Sequence, residues 1–174
     1  MNCTARRRRS RCGYYQVTGK PLGITGEMGE LEAAKLLGLK LAEARMPYYD
    51  AIRITDSGVE RIQIKGRAVD PADRYRGRVS AIKCDGEFES VALVLLDRLT
   101  FDTIEIWEAD RLAVADRLSA PGSISRNERN SLAISQFQVD RSKSLVAASA
   151  GRGRGMYQAR YRRLCRRTTD AGRT

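Results

Sequence analysis

The run Ser90-Val91-Ala92-Leu93-Val94-Leu95-Leu96 constrains this chain more than any other stretch. Successive side chains of a strand point to opposite faces, so a run apolar at nearly every position must be covered on both. It is far too short to span a bilayer, so it reads as the central strand of a sheet with apolar layers above and below. The neighbouring segments supply those layers. Upstream, Ile24, Met28, Leu31, Ala34 and Leu37 fall on one broad arc at about 100° per residue. That spacing predicts a helix capped at Thr25 and stopped by Gly38. Glu27 and Glu30 lie on the same arc, with Glu32 and Lys35 toward or beyond its margin. Tyr49 to Thr55 and Val59 to Gly66, joined by Asp56-Ser57-Gly58, read as a hairpin. Downstream, Asp97 to Asp102 turns the chain into the alternating strand Thr103 to Glu108. Residues 109–118 then read as a helix with Leu112, Ala115 and Leu118 inward, and 127–137 as a further short helix. The expected fold is an α/β sandwich, with a mixed sheet of about four strands flanked by helices.

Charge divides the chain. Residues 1–20 hold six Lys/Arg and no acid, and 151–174 hold eight Arg against one Asp, leaving 18 basic and 20 acidic residues in 21–150. The net charge of +11 is therefore terminal. Three regions follow: a basic arm at 1–20, an α/β domain at 21–145, and a Gly/Arg-rich tail at 146–174 expected to be disordered. Basic arms favour polyanions, chiefly nucleic acid, through phosphate contacts and counterion release. Within the near-neutral body, Arg61, Lys65, Arg67, Arg74, Arg76, Arg78 and Lys83 face only Asp70 and Asp73. Arg67, Arg74, Arg76 and Arg78 are the candidate nucleic-acid contacts, with Tyr75 placed to stack on a base.

There is no histidine, which excludes Ser-His-Asp and Cys-His catalysis and histidine-metal sites. Four scattered cysteines without a CxxC pair support neither zinc nor a disulfide framework. No phosphate-cradling glycine loop occurs in a strand-to-helix context. No apolar region follows Arg6 to Arg9 as a signal peptide requires. The chain is expected to be cytoplasmic, without membrane association. Catalysis would have to come from carboxylates, lysine, amides and a hard metal.

Strand geometry gathers such groups on the hairpin. Ile62 and Ile64 point one way, while Arg61, Gln63 and Lys65 point the other. Asp50 heads the first strand. Glu30, on a core-facing helical arc, is costly unless paired with a cation or metal; Glu27, in the first turn, is explained by the helix dipole. A phosphodiester hydrolase needs a divalent cation on oxygen ligands, an activated water and a positive group near the developing charge. Asp50, Glu30 and the Gln63 carbonyl can supply the ligands, and Lys65, two residues on, can orient the water.

Asp50, followed by Gln63-Ile64-Lys65 on a hairpin with Glu30 on the preceding helix, resembles the PD-(D/E)xK nuclease superfamily. Within it, the pattern looks most like the D…QxK variant of Mrr-type restriction endonucleases. The stretch from Gly19 to about Val139 is also similar to an uncharacterised bacterial domain family with this core. The resemblance implies a restriction-endonuclease-like core and an Mg²⁺- or Mn²⁺-dependent deoxyribonuclease acting on double-stranded DNA. Asp50, Gln63 and Glu30 would hold the metal, Lys65 would be the catalytic lysine, and a homodimer would be in keeping with the family. Tyr49 stands where the family carries proline. Gln63 replaces the usual Asp or Glu, which removes one negative charge from the metal cage. The alternative implied by the same scaffold is an inactive nuclease-fold protein that binds nucleic acid or serves as a partner in a defence complex.

Overall fold

Helix α1 spans Thr25–Leu37 and ends at Gly38, whose φ of 67° lets Leu39 N–H donate back to Ala34 at 3.0 Å. It comes from a computed structural model that describes residues 24–43, 46–73, 77–139 and 143–147. Thr25 is the first helical residue rather than the cap, which falls on Ile24. The buried face also differs from the expected arc: Met28, Gly29, Glu32 and Ala33 are covered, while Leu31 is only half-buried. Close approach to the sheet explains the rotation. A Cβ on Gly29 would lie 2.8 Å from the Gly66 Cα, and one on Gly66 would lie 2.5 Å from the Thr25 carbonyl oxygen. The helix turns its smallest residues to the strand so that the backbones can meet, and this carries Glu32 inward, where it accepts from the Thr103 hydroxyl at 3.3 Å.

The strands are β1 (Lys40–Leu41), β2 (Ala51–Thr55), β3 (Gly58–Val69), β4 (Ser90–Asp97), β5 (Thr103–Asp110) and β6 (Lys143–Ala147). They form one mixed sheet in sequence order, antiparallel throughout except for the parallel pair β3/β4. The sheet thus has six strands where about four were expected. The two additions are edge strands: the two-residue β1 borders β2, and β6 borders β5, carrying the sheet to Ala147 and past the start drawn for the tail. The β2–β3 hairpin closes on the expected turn, with Thr55 opposite Gly58 and Ala51 opposite Ile62. β4 is buried at all eight positions, as its unbroken apolar run requires.

One core lies between α1 and the sheet, around Met28, Ile62, Ile64, Val94, Leu96 and Ile106. The other covers the opposite face, where Val79, Ile82 and Phe88 of the β3–β4 connection pack on Val91, Leu93 and Leu95. Helices α2 (Arg111–Ser119), α3 (Ile124–Asn127) and α4 (Ile134–Val139) complete the domain. In α2, Val114 and Leu118 sit one turn apart and set the buried face. Leu112, expected inward, lies about 160° round the axis from Val114 and is 68 % exposed. At the hairpin end, Arg53 forks onto Glu108 of β5 at 3.0 and 2.8 Å and reaches Glu60 at 3.1 Å, while Ser90 donates to Glu108 at 2.6 Å. This clasp ties four strands across one face. No helix among the described residues is long and apolar enough to cross a membrane.

Candidate functional site

The site begins where β2 leaves β3. Asp50 N–H donates to Ile62 at 2.9 Å, the last rung before β2 turns away, while β3 runs on to Val69. The next inward amide of β3, at Ile64, would lack a partner. The Asp50 carboxylate takes the place of the missing strand carbonyl, with Oδ2 accepting from Ile64 N at 2.6 Å. On its other side the Asp50 carbonyl accepts from Ala42 at 2.9 Å. The aspartate is therefore fixed at the junction of three segments.

Gln63 and Lys65 share the face of β3 opposite Ile62 and Ile64, as strand parity predicts. Gln63 is 4 % exposed. Its Nε2 donates to the Tyr48 carbonyl at 2.8 Å, and its Oε1, buried, has no hydrogen-bond partner among the described residues. An unsatisfied buried acceptor costs about 1–3 kcal/mol, so this oxygen calls for a donor or a cation.

Lys65 is half-buried, and burial lowers its ammonium pKa against the pull of Asp50 and Glu30, with Lys83 pushing the same way as burial. Burial raises the Glu30 carboxyl, and Asp50 and then Glu27 add to the rise, while Lys65 opposes it. Asp50 thus bears on the charge of both Glu30 and Lys65, and those two on each other's, although the three come from a strand head, a helix and a strand. Glu30 belongs to the layer on the Ile64 side of the sheet. Its neighbour Gly29 rests on Gly66, which puts it beside the β3 edge that β2 has vacated.

Among the described residues, no group of three or more His, Cys, Asp or Glu side chains could hold a metal ion. The oxygen donors for a cation here would be the Asp50 and Glu30 carboxylates and the Gln63 amide oxygen, with Glu30 in the α1 layer and Gln63 on the opposite face of β3. All three are hard oxygen donors suited to Mg²⁺ or Mn²⁺, and the unpartnered Oε1 is an atom such an ion would satisfy.

The basic residues sort themselves by their partners. Arg61 pairs with Glu87 and Glu89, each at 2.7 Å. Arg78 donates to the Ser131 hydroxyl at 3.2 Å and to the Ser131 carbonyl, so part of its guanidinium is engaged inside the domain. Asp70 and Asp73, the acids of this segment, lie 2.7 and 4.0 Å from Arg98. Arg67 is exposed, on the Lys65 face, with its guanidinium over Gly77. Arg74, Tyr75 and Arg76 lie outside the described residues. One participant was not singled out in the sequence: the Tyr48 carbonyl that holds Gln63, a backbone group that no local pattern marks. Lys83, named there only within the basic segment, adds a charge felt by Lys65. Compared with known protein families and with curated proteins, the chain matches none.

Proposed function

We propose that this chain is a divalent-metal-dependent phosphodiester hydrolase acting on nucleic acid, with double-stranded DNA as substrate and a restriction-endonuclease-like core. The observation that carries this conclusion is the buried oxygen of Gln63, without a hydrogen-bond partner among the described residues, on the strand face of Lys65, a lysine whose charge Asp50 and Glu30 both affect. Asp50, Glu30 and Gln63 Oε1 would hold Mg²⁺ or Mn²⁺, which supplies positive charge to the phosphate and a more acidic water. The chain's own groups do the remainder. Ile64 N–H holds the Asp50 carboxylate in a fixed position. Lys65, its proton loosened by burial, orients the attacking water and meets the charge that develops on the phosphate oxygens. Arg67 and Lys83 grip flanking phosphates, and the paired cations Arg61 and Arg78 do not. Two carboxylates balance a divalent ion and no more, so affinity for metal is expected to be modest.

A second reading, a nucleic-acid-binding module without cleavage, is favoured by one observation: Asp50 Oδ2 is already engaged by Ile64 N–H. Incubating supercoiled plasmid with the full chain in Mg²⁺ or Mn²⁺ separates the two. Nicking that is abolished by Lys65→Ala supports hydrolysis. Salt-dependent binding without nicking supports the module, and nicking that survives Lys65→Ala rejects the assignment.

A further inference from the structure

We propose that Tyr48 and Gly86 form a brace that holds the Gln63 carboxamide in one orientation, with its oxygen aimed at the cation position; this inference rests on the hydrolase reading above. Three features of the chain before Asp50 converge on that amide. Tyr49 N–H donates to the Pro47 carbonyl at 3.0 Å, closing a three-residue turn around Tyr48. Tyr48 has a φ of 73°, a backbone conformation that an aromatic residue rarely adopts. A turn closed this way at positive φ is the rare, strained form. Its result is to direct the Tyr48 carbonyl to Gln63 Nε2 at 2.8 Å. Flipping the amide would set two carbonyl oxygens against each other, so the donor arm is fixed and Oε1 must occupy the other side.

Strain of this kind persists only where the surroundings over-determine it. Here the surroundings are Gly86. It is buried, and a methyl group placed on it would overlap Cβ, Cγ and Cδ1 of Tyr48. Because those atoms adjoin the backbone, the side chain could not swing clear without moving the turn. Tyr48 as a whole stays 43 % exposed, so burial of the residue does not account for the strained turn. Holding the carbonyl does. Tyr48 and Gly86 are positioning residues, acting through Gln63.

The test follows the Gln63 side-chain NH₂ resonances of the full chain by NMR while Mn²⁺ is titrated. In the wild type these resonances are expected to be shifted from free glutamine and to broaden early in the titration. Gly86→Ala should move them toward free glutamine and weaken Mn²⁺ binding about tenfold, as loss of an outer-shell partner typically does. Adding Tyr48→Gly removes the overlapping ring and suits the positive φ, so the double variant should recover most of the Mn²⁺ affinity. A double variant no better than the single overturns the brace. Unchanged resonances and affinity in Gly86→Ala overturn it as well. If the wild-type amide never broadens, the cation reading falls and the brace's role with it.

Discussion

Gln63→Met is expected to stabilise the metal-free protein while abolishing its response to metal. The buried Oε1 lacks a partner, and such an atom costs about 1–3 kcal/mol. Against that stands the Nε2 bond to Tyr48, which contributes about 1 kcal/mol. Methionine is flexible and fills the site of the glutamine chain with apolar atoms. The balance favours the variant by about 1 kcal/mol, a rise in Tm of about 3–5 °C for a domain of this size. Thermal unfolding in EDTA measures it. Adding Mn²⁺ at about a hundred times its Kd should then stabilise the wild type by about 2.7 kcal/mol and leave Gln63→Met nearly unmoved. A variant less stable than wild type in EDTA would show that Gln63 is structural and that its oxygen is satisfied. Equal stabilisation of both proteins by Mn²⁺ would place the cation elsewhere.

Arg67→Ala should weaken DNA binding uniformly across sequences and reduce the slope of log affinity against log salt by about 1, without altering Mn²⁺ binding; anisotropy titrations at several salt concentrations check both. The Glu30 carboxyl is raised above 4.5, by burial first and then by Asp50 and Glu27. The native state therefore holds its proton more tightly than the unfolded chain. This stabilisation is fully present below pH 4.5 and is lost as the pH rises through the folded value. Urea unfolding of the metal-free protein across that window should show a fall in stability that Glu30→Gln flattens. Over the same window the Mn²⁺ affinity of the wild type should rise with pH, because the ionised carboxylate is the ligand.

Much of this fold is legible because its signals are local. The Asp56-Ser57-Gly58 turn, the unbroken run of β4 and the Gly38 stop each declare themselves within a few residues, and all three stand where expected. What escapes is set by partners distant in sequence. The β1 pairing of Lys40 and Leu41 with β2 is too short to leave a pattern. Gly66 reads as a break, yet β3 passes through it to Val69 because the residue exists to admit α1. The same contact rotates α1, burying Glu32 in place of Leu31. The candidate site divides in the same way. The shared face of Gln63 and Lys65 follows from parity alone. Which arginines remain available does not, since Arg61 and Arg78 find their partners in Glu87, Glu89 and Ser131, 26 to 53 residues away. The Ile64 amide that engages Asp50 is legible only once β2 is known to begin at Ala51.

The central claim is that Glu30, Asp50 and Gln63 converge on one divalent ion, and isothermal titration of the full chain with Mn²⁺ tests it most directly. One site per chain is expected in the wild type, lost in Asp50→Asn and weakened in Glu30→Gln. Absence of binding by the wild type, or binding that Asp50→Asn leaves intact, would contradict it.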